Sequence, residues 1–199
     1  MDARNDILNV IRSNLPRPVD LPSLDGPWLT YDDPHRQFCD TLQAVGGRAL
    51  SVSTMSEVQH HLEELPAWTQ AETIYSMIPQ IDRTSFSLDA IHDPHQLRHL
   101  DFAVLRGEFA VAENAAVWVT DQHLKHRIAF FIPQHLALVV PASQIVHNMH
   151  QAYERLPLDA PGFGAFISGP SKTADIEQSL VIGAHGPRSL TVFLVDSDG

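Results

Sequence analysis

Ala165–Val195, with the sequence AFISGPSKTADIEQSLVIGAHGPRSLTVFLV, is the stretch that decides the predicted fold. Its two ends, residues 165–168 and 189–195, are apolar and rich in residues that favour strands. Gly169 and Pro170 break the first run, and the residues that follow have the four-residue apolar spacing of a helix. The stretch therefore predicts a parallel β-α-β unit: a strand, a polar loop, a helix and a second strand.

The start of this predicted helix is a candidate anion site. Ser171 or Thr173 can cap the helix, and Asp175 places an acidic side chain in its first turn. Unpaired N–H groups at a helix start favour an anion when the helix follows the carboxyl end of a strand, and Lys172 adds positive charge. The alternative is that the glycines and proline only form turns, because neither a Walker spacing nor a G-x-G-x-x-G motif is present.

Two motifs carry a family resemblance. Residues 169–190 contain G-P-S-x-T-x-D-I-E followed by G-x-H-G-P-R, and a second block has an Ala-Glu pair at 112–113, then Arg127, then I-P-Q-H at 132–135. Together they resemble the LUD-domain proteins of the lactate utilisation protein C family, over about half of the chain. The second block departs from the family pattern, because Asn114-Ala115 replaces a Thr or Ser followed by Gly.

The resemblance sharpens the predicted architecture. Strands that alternate with helices at both ends of the chain, around a β-rich middle, predict an α/β domain with a mixed sheet. The resemblance implies a Rossmann-like open sheet, as in ribose-5-phosphate isomerase, glucosamine-6-phosphate deaminase and the CoA-transferases, with a site at the carboxyl ends of the strands. We expect residues 1–199 to form a single LUD-like domain, in which residues 1–30 are an N-terminal helix and a proline-rich arm.

The remaining elements follow from local patterns. Helices are expected at 5–14, at 34–45 after Asp33-Pro34, at 56–65 and at 143–156 with Ser143 as a cap. Strands are expected at 49–53, 73–77, 102–105, 109–112, 116–120, 128–132 and 136–140.

Composition limits the classes of function. A formal charge of −11 disfavours nucleic acid and anionic membrane surfaces as partners, although a few cations can still hold a small carboxylate or phosphate. Cys39 is the only cysteine, so the chain can form no internal disulfide and cannot hold an iron–sulfur cluster alone. We expect no covalently bound cofactor, no signal peptide or membrane span, and a cytoplasmic location.

Three side chains are candidates for chemistry. Glu113 lies at a turn between strand-like runs, where apolar neighbours would favour its neutral form and suit general acid or base work; a solvated turn residue is the alternative. His135 and His185 each lie where a regular element meets a loop. These three with Asp175 are of the right types for a divalent metal, but their spacing is long and irregular, and we assign no metal.

The resemblance extends the set of candidate ligand-binding residues. It gives Glu113 and His135 as the catalytic pair and adds Arg127, which can bind an acidic group at two points, and Arg188 in the loop after His185. The full binding set is Arg127, Gly169, Ser171, Lys172, Thr173, Asp175, His185, Gly186 and Arg188.

Three functional hypotheses follow. The resemblance implies a subunit of a lactate-oxidising system that works beside iron–sulfur partner proteins, which explains why one cysteine is enough. The second hypothesis is a free-standing acyl- or CoA-transferase, or a sugar-phosphate isomerase, that uses Glu113 with Lys172 and Arg127. The third is an interaction module without a functional pocket.

Overall fold

A computed structural model describes residues 3–16, 19–20, 23–156, 162–174 and 180–196 of the chain. The helices are α1 (Ala3–Ser13), α2 (Pro34–Ala44), α3 (Met55–Glu63), α4 (Pro66–Gln70) and α5 (Met149–Glu154). The strands are β1 (Arg48–Val52), β2 (Ile74–Ser76), β3 (Phe102–Arg106), β4 (Phe109–Val111), β5 (Ala116–Thr120), β6 (His135–Pro141), β7 (Ile145–Val146), β8 (Gly164–Ile167), β9 (Lys172–Ala174), β10 (Leu180–Ile182) and β11 (Ser189–Val195).

Five parallel strands form the central sheet, in the order β1-β11-β6-β3-β2. Strand β6 lies in the middle, and the register places His135 beside Ser189 on one neighbour and beside Phe102 on the other. Because all five strands run the same way, these residues lie at the amino edge of the sheet. The predicted α/β class is confirmed, and the architecture is compatible with the Rossmann-like type. The central sheet is parallel, and the expected mixed pairing is found in a second sheet.

A second, mixed sheet has the order β7-β4-β5-β8. Strands β5 and β8 pair antiparallel, whereas β4 and β7 pair parallel. Trp118 of β5 packs against Phe166 of β8 with ring centroids 4.7 Å apart. This sheet therefore has its own aromatic cluster, to which Phe109 also contributes.

The central sheet is buried on both faces, as an all-parallel sheet requires. Along β11, Val192 and Leu194 pack in a cluster with α2 and part of the second sheet, whereas Phe193 packs on the opposite face with α3 and α4. In that opposite cluster Trp68 meets Phe102 edge to face at 5.1 Å. Successive side chains of one strand thus pack into apolar layers on opposite faces of the sheet. This explains why the central strands are continuous apolar runs.

Most of the predicted elements are confirmed near their expected bounds. Asp33 caps α2 by accepting a hydrogen bond from the Arg36 backbone N–H at 2.9 Å, and Pro34 begins the helix. The strands expected at 49–53, 73–77, 102–105, 109–112, 116–120 and 136–140 are present as β1 to β6. The chain continues from α3 directly into α4, whose Trp68 is buried.

The predicted β-α-β unit at 165–195 is wrong. Strands β8 and β11 belong to different sheets, and between them β9 and β10 form an antiparallel hairpin in place of the expected helix start. Thr173, Val181 and Ile182 are β-branched and favour strands, so this local preference prevails over the four-residue apolar spacing. Asp175 and the rest of 175–179 lie outside the described residues.

Two further elements differ from prediction. The expected strand at 128–132 is a 3-10 helix, Arg127–Phe130. The expected helix at 143–156 begins only at Met149, because Ile145–Val146 pairs with β4 as a strand and Asn148, rather than Ser143, caps α5. Asn148 is buried and its side-chain oxygen accepts a hydrogen bond from the Gln151 N–H at 3.0 Å.

The N-terminal segment has the predicted helix followed by an extended arm. No residue of α1 is buried. The described part of the arm lies against the start of α5: the Trp28 ring stacks on His150 at 3.5 Å, and the Leu29 carbonyl accepts a hydrogen bond from the Asn148 side chain at 2.8 Å. Within the described residues, none of the helices has the length and apolar character needed to cross a bilayer.

Candidate functional site

The two halves of the 169–190 motif face each other across a crevice of about 240 Å³, which we call the signature crevice. Ser168–Ser171 form one wall and His185–Pro187 the other, although 13 residues separate them in the sequence. Of the predicted binding residues, four line this crevice: Gly169, Ser171, His185 and Gly186. Its remaining walls are apolar and come from Phe130, Phe131, Leu136, Phe166, Ile167, Pro170 and Leu190.

Backbone hydrogen bonds hold the two walls together. The Ser171 N–H donates to the Pro187 carbonyl at 2.8 Å, and the Gly183 N–H donates to the Ser171 carbonyl at 2.9 Å. The Ser171 amide is thus used within the fold, and the expected anion site at a helix start does not form here. The polar side chains that line the crevice are Ser168, Ser171 and His185.

Gly169 is required by the backbone of the first wall. Its φ is +72°, in the left-handed region, and a Cβ there would lie 2.9 Å from the Val45 carbonyl oxygen. Gly186, in the opposite wall, lies so close to the first wall that a Cβ on it would be 3.0 Å from the Ser171 hydroxyl oxygen. The glycines of the motif therefore set the width of the crevice.

The crevice lies at the amino ends of β6 and β11, since Leu136 and Leu190 line it near the start of each strand. This position differs from the expected one at the carboxyl ends of the central strands. The difference follows from the connectivity, because the Gly169 loop leaves a strand of the second sheet, β8, rather than one of the central sheet.

The turn that bears Glu113 contacts the crevice but directs its carboxylate elsewhere. The Ser168 hydroxyl donates to the Asn114 carbonyl at 2.7 Å, which joins the turn to the first wall. Glu113 is exposed, and its Oε2 accepts a hydrogen bond from the Met149 N–H at 2.8 Å, at the start of α5. The expected apolar enclosure of this carboxylate is not found, and its contact is that of a helix-capping group.

Asn114-Ala115, where the chain departs from the family pattern, forms a tight turn. Its side-chain oxygen accepts a hydrogen bond from the Ala116 N–H at 3.1 Å, and Ala115 between them has a φ of +53°. The amide side chain thus closes a tight turn of its own between β4 and β5.

His135 lies beside the crevice without lining it. Its Nδ1 shares a hydrogen bond of 2.8 Å with the Ser189 hydroxyl, and its ring stacks on Phe102 with centroids 6.0 Å apart. Burial, together with the positive charge of Arg188, lowers the pKa of His135 below its usual range, and the Asp101 carboxylate opposes this shift. The neutral imidazole is therefore favoured at the amino edge of the sheet.

None of the predicted cations lines the crevice. The Arg127 guanidinium lies over the Phe163 ring at 5.2 Å, and Phe163 in turn packs edge to face on Phe131 of the crevice at 6.1 Å. The backbone N–H of Arg188 donates to the Gln134 carbonyl at 2.7 Å. Lys172 and Thr173 continue into β9, away from the crevice lining.

Metal ligation finds no support in the described part of the chain. There, no three side chains of His, Cys, Asp or Glu converge in a way that could hold an ion. Glu113 and His135 in particular are committed to the separate contacts with Met149 and Ser189.

A second cavity, which the sequence analysis missed, lies at the carboxyl ends of β2 and β3 and has a volume of about 640 Å³. We call it the carboxyl-edge cavity. Its lining includes Tyr75, Phe86, Asp89, Arg106, His123 and Lys125. The available signal was Arg106, a single cation that ends the otherwise buried strand β3 at the edge where α/β sheets bind ligands.

Comparisons with known proteins agree with the motif. A family model for the LUD domain matches residues 35–195. Among curated proteins, the chain is 32% identical over 106 residues to lactate utilization protein C 1 of Bacillus mycoides, covering 48% of this chain and 44% of that protein. It is 31% identical over 125 residues to lactate utilization protein C of Shouchella clausii, covering 58% and 55% of the two chains. The chain thus spans about half the length of the curated relatives it matches.

A solved structure supports the fold. A DUF162 family protein from Deinococcus radiodurans superposes with a TM-score of 0.66 at 20% sequence identity, covering 84% of this chain and 99% of that one. At this identity the likeness extends to the architecture alone.

Proposed function

The chain belongs to the LUD domain family, and from this membership and the geometry of the signature crevice we propose that it is a component of a lactate utilisation system. In this role it binds a small carboxylate, of the 2-hydroxy or 2-oxo acid type, while separate iron–sulfur proteins carry electrons. The proposed compartment is the cytoplasm, where the thiol of Cys39 stays reduced.

One observation carries the proposal: the two halves of the family motif, separated by 13 residues, line a single crevice of small-metabolite size. Aromatic and aliphatic walls suit the short carbon skeleton of such an acid. The Ser171 hydroxyl and the His185 imidazole can donate hydrogen bonds to its carboxylate, and the Ser168 hydroxyl, whose proton goes to the Asn114 carbonyl, can accept one from its hydroxyl group. Arg127 and Arg188 do not line the crevice; the Arg127 guanidinium lies over Phe163, next to Phe131 of the crevice, and the charge of Arg188 acts on the neighbouring His135.

The chemistry requires partners. Oxidation of lactate to pyruvate removes two electrons and two protons, so an electron acceptor must receive what the substrate loses. With Cys39 as its only cysteine, the chain cannot provide the thiolates of a cluster. The residues of the crevice can bind the acid, and His185 can accept the proton of its hydroxyl group. The hydrogen on Cα leaves with the two electrons, as hydride, to a hydride-accepting redox group of the partner proteins.

The alternative of a free-standing transferase or isomerase that acts through Glu113 has weaker support. A carboxylate nucleophile needs an oxygen directed at the substrate, whereas Glu113 Oε2 is bonded to the Met149 N–H at the start of α5. Lys172, which this alternative would also use, does not line the crevice.

A genetic experiment tests the proposal. Deletion of the gene in its own organism should abolish growth on lactate and leave growth on pyruvate unchanged, and the wild-type gene should restore growth. Affinity purification of the intact protein from lactate-grown cells should recover iron–sulfur proteins. Normal growth of the deletion strain on lactate would overturn the proposal, and a purification that recovers no cluster-bearing protein would remove its iron–sulfur part.

Single substitutions assign the role to the crevice. His185→Asn should fail to restore growth on lactate, because it removes the titratable imidazole. His60→Asn is a matched control, since His60 is an exposed histidine of α3 whose side-chain contacts are local, to the adjacent His61 ring and to Glu64 at the end of the same helix. Both proteins should accumulate to wild-type levels, and equal growth of the two strains would exclude His185 from the activity.

A further inference from the structure

The carboxyl-edge cavity differs from the signature crevice in place, size and charge. It adjoins the ends of β2 and β3, whereas the crevice adjoins the starts of β6 and β11. At about 640 Å³ it is more than twice as large as the crevice, at about 240 Å³. The carboxyl edge of a parallel sheet is where open α/β folds usually bind their ligands, which makes this cavity a second candidate site.

Two cations at the cavity are available to a ligand. Arg106 and Lys125 both line it, and within the described residues neither forms an ion pair with a carboxylate. The chain as a whole carries a charge of −11, so unpaired cations at one cavity contrast with the average surface. A guanidinium beside an ammonium attracts a carboxylate or phosphate group.

The segments that carry the two cations are held by hydrogen bonds on both sides of the cavity. The backbone N–H of Arg106 donates to the side-chain sulfur of Met77 at 3.2 Å, across from β3 to the segment after β2. The Lys125 ammonium donates to the Asp89 carbonyl at 2.6 Å, and the neighbouring His126 imidazole bonds the Ile91 carbonyl at 2.9 Å. The two sides are thus anchored independently of any ligand, which lowers the entropic cost of binding.

The rest of the cavity suits a flat organic body. The rings of Tyr75 and Phe86 lie 6.0 Å apart on its wall, tilted by 35°. Burial and the negative charge of Asp89 raise the pKa of Tyr75, so its hydroxyl remains a hydrogen-bond donor at neutral pH. A volume of about 640 Å³ exceeds what a three-carbon acid fills and lies in the range of pockets for molecules of cofactor size.

We propose that the carboxyl-edge cavity binds an organic anion of metabolite or cofactor size. Arg106 and Lys125 hold its carboxylate or phosphate group, and Tyr75 and Phe86 contact its flat body. The Asp89 carboxylate also lines the cavity and favours a ligand with a hydrogen-bond donor. This site is distinct from the signature crevice and does not depend on the function proposed for it.

Calorimetry and thermal shift with matched probes test this inference. Adenosine 5′-monophosphate and indole-3-acetate each join an acidic group to a flat body, and adenosine and indole are their neutral counterparts. At least one anion should bind the full chain, and its neutral counterpart should bind at least about tenfold more weakly. Binding of adenosine 5′-monophosphate would show that the site accepts a phosphate, and binding of indole-3-acetate would show that it accepts a carboxylate. If neither anion binds at millimolar concentration, the proposal is overturned.

Variants locate the binding. Arg106→Gln and Lys125→Gln should each lower the affinity for the probe by about tenfold, and Arg106→Lys should lower it less than Arg106→Gln does. Arg98→Gln is the matched control, because Arg98 precedes the amino end of β3 and is exposed. Melting temperatures without a probe verify that each variant is folded. Undiminished binding in the Arg106→Gln, Lys125→Gln double variant would place the probe elsewhere and overturn the assignment.

Discussion

Replacement of Glu113 by alanine separates a structural role from a catalytic one. The change removes the hydrogen bond of 2.8 Å between the carboxylate and the Met149 N–H at the start of α5. Hydrogen bonds to charged groups contribute about 1.5–3 kcal/mol, and we take about 1 kcal/mol here because Glu113 is exposed to solvent. For a chain of this size, that loss lowers the melting temperature by about 2–4 °C.

Glu113→Gln is the matched variant. Its amide oxygen can still accept the hydrogen bond from Met149, while the negative charge and the carboxylate chemistry are gone. We expect it to retain about half of the stabilisation, because only the interaction of the charge with the helix N-terminus is lost. Growth on lactate in a complemented deletion strain should be close to that of the wild type.

Chemical denaturation and growth are measured on the same three proteins. A Glu113→Gln variant that is as stable as the wild type yet fails to support growth would show that the carboxylate itself is needed for activity and would restore Glu113 as a catalytic residue. A Glu113→Ala variant with unchanged stability would show that the bond to Met149 contributes nothing.

Three further predictions concern stability. Asn148→Ala removes both the α5 cap and the bond to the Leu29 carbonyl and should cost about 2 kcal/mol, whereas Asn148→Ser keeps a capping hydroxyl and should cost about half as much in denaturant titrations; equal losses would contradict this division. Because the folded-state pKa of His135 is lowered, the unfolded chain takes up the proton first, so stability should fall as the pH drops below about 6.5. Urea titrations above and below that pH should show a smaller loss of stability for His135→Gln than for the wild type. An identical loss would exclude His135 as a source of the pH dependence. Gly164→Ala would place its Cβ 2.1 Å from a ring carbon of Trp118 and should cost about 1–3 kcal/mol, so an unchanged melting temperature would contradict tight packing of β5 on β8.

The fold was predictable where the sequence pattern has one structural solution. Continuous apolar runs such as 102–105 and 136–140 are typical of strands buried on both faces, and Asp33-Pro34 begins a helix by cap and ring geometry together. The 169–190 motif also led to the family, and the LUD domain match extends the resemblance back to residue 35.

The failures arose where two local preferences compete. Around Thr173 and Val181, apolar residues four positions apart fit one face of a helix. Residues four apart also lie on one face of a strand, because the side-chain period of a strand is two, and β-branched side chains favour the hairpin. Which sheet a strand joins is a long-range property, so nothing local to β8 assigned it to the second sheet rather than the central one.

The two cavities also differ in how far the sequence could predict them. Both walls of the signature crevice come from one motif, so Gly169, Ser171, His185 and Gly186 were all predicted. The carboxyl-edge cavity draws residues from separate segments around 75, 86, 106 and 125, which only the parallel pairing of β2 with β3 and the packing of their loops bring together. No local spacing encodes such a site.

The position of β11 in the central sheet bears on how the chain can be synthesised and folded. The residues of β1 are synthesised early, but the strand that pairs with β1 in the sheet is β11, at residues 189–195. Until that last strand emerges, β1 and one side of β6 present open edges to other nascent chains. We therefore expect translation that stalls before residue 189 to leave a product prone to aggregation.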